Sequence, residues 1–259
     1  MKSILVIPTY NCESQISRLV QKSSKTINAQ FDEIVIIDNG STDKTLDNAI
    51  NELKVIDTKV KVLQNKKNLS LGGSLKTGFI YAKENRYDLI AILHGDDQAN
   101  LDDLLPMIEK MKIKNIDLAI GARFHSKSEL IGYSAFRRVG NRLLNRYCIL
   151  CTGTKIDDLI AGLNLFRVSE LNLDEVLNYP DNLTFDVHVL LRAIDLKQSI
   201  EFFPITWREE DQISNAKVVR QAVIILRLFT TYFFKREQAL KFQKTQNTYR
   251  DYRVVFERR

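Results

Sequence analysis

Two neighbouring carboxylates, Asp96 and Asp97, stand directly after a short apolar run, Leu89–Leu93, with His94 before them and Gln98 after. The run is bounded by charge and too short to make the core face of a helix, so it reads as a buried strand. Adjacent carboxylates at the end of such a strand repel each other and lose hydration. A hard divalent cation that also bridges to phosphate oxygens compensates for both. Asp96 and Asp97 are the candidate ligands. The competing explanation is an acidic loop that caps a helix beginning at Asp102 or Asp103. His94 and Asp96 alternate in extended backbone and so share a face. That makes His94 either a ligand or a supporting group, against the plainer reading of an imidazole packed at a strand end.

These residues need a sheet to hold them. Ile4–Ile7, Glu33–Ile37 and Val60–Leu63 read as strands, and helical spacing recurs at Ile16, Leu19 and Val20 and at Leu46, Ala49, Ile50 and Leu53. Gly72, Gly73 and Gly78 accompany a helix running to Lys83, and Leu101 to Met111 is a helix before a strand from Asp117 to Ile120. Strand and helix alternating on short connections predict an α/β fold with a mostly parallel sheet covered on both faces. Parallel strands bring their following loops to one edge, where ligands bind in open α/β sheets. Pro8-Thr9-Tyr10-Asn11 follows the first strand and Asp38 the second, so both fall beside Asp96. Pro ends pairing, Tyr10 can stack on a base, and Asp38 can accept from a base or ribose. Each is also an ordinary strand-end turn; together they point to a nucleotide pocket.

The second half is less regular. Tyr133–Leu150 reads as a helix bearing Arg137, Arg138, Arg142 and Arg146, Ala161–Val168 as a strand, Phe185–Ile194 as a helix and Ser199–Trp207 as a strand. Val218–Phe234 is an apolar helix interrupted by Arg220 and Arg227, followed by a charged tail read as helical or loosely ordered. An apolar helix is usually core or an oligomer contact; with a lipid-borne partner, Phe229, Tyr232, Phe233 and Phe234 would face lipid and Lys235 and Arg236 lie near headgroups, and docking on a membrane surface is then expected ahead of a dimer interface.

The 259 residues suffice for one large core, and 44% hydrophobic with 27% charged content describes a globular chain. A net charge of +6 suits an anionic partner, and without a long basic block nucleic acid is not expected. Three cysteines, Cys12, Cys148 and Cys151, make no disulfide framework and imply a reducing compartment. The pair Cys148 and Cys151 has no second ligand pair nearby and reads as buried thiols. MKSILVIPTYN lacks a secretory pattern, and no apolar run reaches about 18 residues. A cytoplasmic location, peripheral to the cytoplasmic face of a membrane, is expected.

IPTYN, IIDNGSTD, NLSLGGSLKTGF, HGDDQAN and GARF, in that order and spacing, resemble the donor half of a family 2 glycosyltransferase with the GT-A fold. RRVGNRLLNR, DDLIAGLNLF, FDVHVLLRA and FPITWREEDQISNAK continue the likeness towards the dolichol-phosphate mannosyltransferase-like branch, which transfers sugars to polyprenyl phosphates. The resemblance spans Lys2 to Lys217. It implies a catalytic domain at 1–217, with a donor half at 1–124 and an acceptor half at 125–217, and a C-terminal amphipathic, basic helical extension at 218–259. By the same resemblance Pro8, Tyr10, Asn11 and Glu13 hold base and ribose, and Asp38 contacts the base side with Ser41 and Asp43 shaping its turn. Asn39, Lys76, Asp96 and Gln98 complete the nucleotide-sugar set. Asp96 matches the last acid of a DxD motif that binds Mg2+ or Mn2+. Gln98 matches the glutamine after that motif and joins the metal set. His94 stands where the motif has its first acid, and Asp97 where an apolar residue is usual, so the metal is expected on Asp96 with Asp97 or on Asp96 with little other protein help. Arg123, Arg137, Arg138, Asn141, Arg208 and Lys217 form the acceptor and phosphate set.

What the resemblance implies is inverting transfer of a sugar from a nucleotide-diphospho-sugar. A divalent cation stabilises the leaving diphosphate, and arginines add charge-assisted hydrogen bonds. A polyprenyl phosphate acceptor is already ionised and needs no base; a saccharide hydroxyl does. Asp158, spaced from Gly162 as in the acceptor-side motif, is the first candidate base, with Asp157 and Asp186 next and helix or turn capping as the alternative for each. Asp96, Asp158, Arg123 and Arg208 are thus the expected catalytic set. His125 and His188 read as structural. Three rivals remain: a glycosyltransferase of cell-surface polysaccharide synthesis acting on a hydroxyl, a degenerate nucleotide-sugar-binding module, and a nucleotidyltransferase. The last would need a Gly-rich basic loop after the first strand, which PTYNCES does not provide. A homo-oligomer stays open.

Overall fold

The computed structural model describes residues 1–159, 161–211, 218–241 and 247–259. The first half runs β1 (Ser3–Thr9), α1 (Glu13–Gln30), β2 (Glu33–Asp38), α2 (Thr45–Leu53), β3 (Lys59–Asn65), α3 (Ser70–Glu84), β4 (Leu89–Leu93), α4 (Leu105–Ile113) and β5 (Leu118–Ala122). Then come β6 (Glu129–Ile131), α5 (Ala135–Thr152), β7 (Leu163–Arg167), α6 (Leu173–Val176), α7 (Phe185–Asp195), β8 (Ile200–Pro204) and β9 (Thr206–Arg208). The chain closes with α8 (Val218–Phe234), α9 (Arg236–Ala239) and β10 (Tyr252–Arg258).

Eight strands form one sheet in the order β10-β3-β2-β1-β4-β7-β5-β8. β1 to β4 are mutually parallel neighbours, whereas β7 runs antiparallel between β4 and β5, and β10 antiparallel on β3. The α/β expectation therefore holds, with the mixed sheet of a GT-A fold. Alternation along β1 sends Ile4 and Val6 into one core and Leu5 and Ile7 into the other. Burial on both faces is why these strands read as unbroken apolar runs. α1 covers one face with Ile16, Leu19, Val20, Ser23 and Ile27, a helical repeat of buried positions.

Two expectations are corrected. The run Ser199–Trp207 is two strands: Pro204 ends β8, the Ile205 N–H turns aside to donate to Ser128 Oγ at 3.2 Å, and β9 then pairs in parallel with β6 in a separate small sheet. The tail is not mainly helical. Its Val254-Val255-Phe256 segment is β-type, and β10 takes up the otherwise open edge of β3. The C-terminal region is consequently joined to the rest at two places, since α8 packs on α5 while β10 completes the first-half sheet.

A buried charge ties the tail down. Lys76 lies fully buried on α3, and its ammonium donates to the Tyr179 carbonyl, to Asp181 Oδ1 at 2.6 Å and to Tyr249 Oη at 3.0 Å. Asp181 also accepts from Tyr249 Oη at 2.7 Å and Asn247 Nδ2 at 2.6 Å. Burial lowers the Lys76 pKa and Asp181 opposes the shift. Gly72 is required beside this network, because a Cβ there would lie 2.7 Å from Phe185 Cβ and 2.8 Å from the Asp181 carbonyl carbon. Lys76 thus leaves the donor-binding set: its charge is spent inside the fold.

Removing one partner of a buried ion pair leaves the other uncompensated. Asp181→Ala is expected to cost about 3–5 kcal/mol in urea unfolding. The double variant Lys76→Met, Asp181→Leu should cost less than Asp181→Ala alone, and equal costs would remove Lys76 as the reason.

Candidate active site

The loops after β1, β2 and β4 meet at one sheet edge, as parallel neighbours must. Gly95 N–H donates to the Pro8 carbonyl at 3.1 Å, and the Asn39 N–H to the Thr9 carbonyl at 2.9 Å. Tyr10 is exposed at the rim, available to stack. Asn11 adopts φ 47°, its Oδ1 accepting the Thr42 N–H at 2.9 Å, while Glu13 accepts the Lys44 N–H at 3.0 Å. Asp38 is buried, accepting from the Ser41 N–H at 3.2 Å and Gln64 Nε2 at 2.9 Å. Asn39 bonds Asn65, Asn68 and the Leu69 N–H. Asn11, Glu13, Asp38 and Asn39 therefore build the loops of this edge through hydrogen bonds already made, and Tyr10 carries the open apolar face.

The acidic pair divides. Asp97 adopts φ 57° and turns its carboxylate away, where it accepts from Arg18 Nε at 3.0 Å and Lys22 Nζ at 3.1 Å. With two cations on its Oδ2, Asp97 is engaged by protein charge, which favours the expected alternative of Asp96 acting with little other protein help over Asp96 paired with Asp97. Asp96 forms no ion pair among the described residues; its Oδ1 accepts the Gln98 N–H at 3.3 Å, and its carboxylate also takes its own backbone N–H. Burial pushes Asp96 up to about 6, against those hydrogen bonds. A half-buried carboxylate without a counter-ion among the described residues suits a divalent cation, with Gln98 beside it. No group of three acidic, His or Cys ligands exists among the described residues, so most of the coordination would fall to ligand oxygens and water. His94 is pressed against Gly162, where a Cβ would stand 2.8 Å from its Cγ and Nδ1. Burial first, and Arg123 second, hold its pKa down at about 4, so it is neutral, and its Nε2 is buried with no partner among the described residues.

The other wall is basic. Asp158 Oδ2 accepts the Arg123 N–H and Nε at 2.8 Å each, and Oδ1 accepts Nη2 at 2.8 Å. Arg123 is sandwiched by Trp207 and Phe124, 5.1 and 5.4 Å from the ring centroids. Burial lowers the Arg123 pKa, and Asp158 more than restores it. Asp158 is thus occupied in aiming Arg123, not poised as a base. Asp157 pairs with Lys155 at 3.1 Å. Arg137 donates to both oxygens of Glu209 and lies over Tyr133, whose hydroxyl accepts from Asn141 Nδ2 at 2.7 Å. Arg138 Nε is buried without a partner among the described residues. The Arg208 N–H donates to the Gln98 carbonyl at 2.8 Å, but alternation along β9 sends its side chain away from Trp207 and towards Asp103. Lys217 lies outside the described residues. Trp207, Glu209, Arg18 and Lys22 were missed: each acts through a partner far away in sequence, and no local pattern announces one.

Asp186 sits behind this wall, with Asn164, Leu159 and Ala161 around a small void. Its Oδ2 and Asn164 Oδ1 have no partner among the described residues. Burial raises Asp186 from 3.8 to about 7. The folded chain then keeps a proton that the unfolded chain has released, so stability falls as pH rises from about 4 to about 7. Asp186→Asn should flatten this slope in urea midpoints taken across the window; parallel slopes for variant and parent would show Asp186 ionised throughout.

The Saccharomyces cerevisiae dolichyl-phosphate beta-glucosyltransferase is 26% identical over 245 residues, covering 85% of this chain and 73% of that one. The polyprenol monophosphomannose synthase of Mycolicibacterium smegmatis is 24% identical over 214 residues, covering 81% and 78%. In fold, the Mycobacterium tuberculosis glucosyl-3-phosphoglycerate synthase, crystallised with Mn2+, uridine diphosphate and phosphoglyceric acid, superposes with a TM-score of 0.63 at 12% identity, over 93% of this chain and 79% of that one. The family described as Glycosyl transferase family 2 matches residues 4–172, most of the chain and all of the donor edge, and this protein belongs to it.

Proposed function

We propose that this glycosyltransferase moves a hexosyl group from a nucleotide-diphospho-sugar to a polyprenyl phosphate, with inversion, while peripherally attached to the cytoplasmic face of a membrane. One observation carries the choice of acceptor: none of the candidate bases is free. Asp158 is forked by Arg123, Asp157 is paired with Lys155, and Asp186 is buried and protonated up to about pH 7. A saccharide hydroxyl needs a base to take its proton, whereas a phosphate monoester arrives ionised. The two relatives named for dolichyl and polyprenol phosphates support the same choice.

In this reading the acceptor phosphate is held by Arg123 and Arg138, with Arg137 and Asn141 beside them. Its oxygen attacks the anomeric carbon, and the bond to the diphosphate breaks with its electron pair going to the leaving oxygen. Asp158 acts as a positioning residue by fixing the Arg123 fork, and Tyr10 stacks on the base. Asp96 and Gln98 would hold a divalent cation, Mg2+ or Mn2+, which when bound neutralises charge on the departing diphosphate. Arg208 keeps the Gln98 backbone in place through its own N–H.

Calorimetry with UDP and GDP, each with and without Mn2+ or Mg2+, tests the donor site. Metal-dependent binding of one nucleotide is expected, lost in Asp96→Ala. Asp97→Asn should leave it within about twofold and cost about 1 kcal/mol of stability, because Arg18 and Lys22 are partly solvated. Binding of neither nucleotide under any condition would reject the donor site. Sugar transfer to a saccharide but not to a short polyprenyl phosphate would overturn the acceptor.

A further inference from the structure

Apolar exposure on this molecule is concentrated rather than scattered. Nine of the sixteen large apolar side chains exposed among the described residues lie on α5 and α8. On α5 they are Phe136, Val139, Leu143 and Leu150, of which Phe136 is 87% and Leu150 77% exposed. On α8 they are Val219, Val223, Leu226, Phe233 and Phe234, with Val219 78% and Phe234 74% exposed. The α5 set and, on α8, Val219, Val223, Leu226 and Phe233 recur every three, four or seven residues, so each makes a stripe along one side of its helix, and Phe234 adjoins the end of the second. The helices are joined, Tyr147 Oη lying 2.6 Å from Thr230 Oγ1. Phe229 and Tyr232, expected to face lipid, are instead buried beneath α8 and anchor it.

Charge names the occupant. Neither helix contains an acidic residue. Arg142 and Arg146 are exposed beside the α5 stripe, and Arg220 and Arg227 beside the α8 stripe. Past the end of α8, Lys235, Arg236 and Lys241 line a groove that also includes Glu237 and Gln238; Arg236 is paired with Asp195. A second copy docked two-fold on this face would set arginine against arginine with no carboxylate on either helix to relieve it. An anionic bilayer presents phosphates to the arginines and hydrocarbon to the stripes. No helix among the described residues is long and apolar enough to cross a membrane, so the contact is with the surface. The platform also begins at the site: Arg137 and Arg138 occupy the first turn of α5.

We propose that the joined outer faces of α5 and α8 lie on an anionic phospholipid surface, with Phe233 and Phe234 entering the headgroup boundary and the arginines beside them at phosphate level. This deepens the polyprenyl-phosphate reading and rests on it for its purpose. Its test does not, because the vesicles used contain no polyprenyl phosphate.

The full chain is floated with phosphatidylcholine vesicles, with and without phosphatidylglycerol. Binding is expected to the mixed vesicles, weaker to phosphatidylcholine alone and reduced by high salt. Leu143→Glu with Val223→Glu should lower partitioning at least about tenfold, as each places a carboxylate on the apolar stripe. Arg142→Gln with Arg146→Gln should remove much of the preference for phosphatidylglycerol and leave the remainder. Unchanged circular dichroism melting and nucleotide affinity would show these variants folded; should the glutamates unfold the chain, Phe233→Ser with Phe234→Ser tests the same face. Vesicle binding that persists at the parent level in the glutamate or serine variants, or no binding by the parent chain, overturns the proposal. So does a dimer in sedimentation that the glutamates dissociate, since a second copy would then cover the face. Vesicle binding as expected in a protein that binds no nucleotide would leave the surface standing and reject the donor site.

Discussion

The buried pair of Arg123 and Asp158 is the interaction on which the acceptor wall depends. Three hydrogen bonds converge on one carboxylate, two from the guanidinium and one from the Arg123 backbone N–H. A charge pair removed from water is tolerated when its hydrogen bonds are filled and its geometry is fixed. Here the carboxylate binds both the side chain and the backbone that follows β5, so strand end and guanidinium move together. Trp207 and Phe124 close over the planar group and leave it no alternative rotamer without losing ring contacts. Since β9 supplies Trp207 and the segment before β7 supplies Asp158, three distant stretches of chain must be in place before this arginine is aimed.

The donor side distributes charge by the opposite logic. Asp97 is neutralised inside the protein, His94 carries no charge near neutral pH, and Asp96 is left as the one carboxylate among these neighbours that the fold does not answer. A site with so little protein charge depends on the phosphate oxygens of its ligand to complete any coordination shell. The left-handed turn at Asp97 makes the separation: adjacent residues point to different surroundings because φ changes sign between them.

Much of this was legible in the residues. β4 matched its apolar run from end to end, and α8 its amphipathic one, because each is bounded by charge or by Gly and polar turns. The convergence of Tyr10, Asp38 and Asp96 followed from parallel topology alone. What remained hidden was partnership. The resemblance puts Lys76 in the nucleotide-sugar set, and only the fold reveals that Asp181 and Tyr249 use its charge. Asp158 and Asp97 present the same problem: a carboxylate's chemistry depends on which cation reaches it, and those cations lie 35 to 79 residues away. β10 was missed because seven charged and apolar residues alternate imperfectly, with a register shift between Val254 and Phe256, and because its pairing partner is β3, far back in the chain.

That last pairing governs how the molecule is made. During synthesis the donor half emerges first, yet the outer edge of β3 stays uncovered and Lys76 lacks Tyr249 until residues near 250 have been added. For most of translation the nascent chain therefore carries a bare strand edge and a buried-to-be ammonium still in contact with water, the state in which edge-to-edge association is most favoured. Closure comes late, because the strand that covers β3 and the tyrosine that completes the Lys76 network both lie near residue 250.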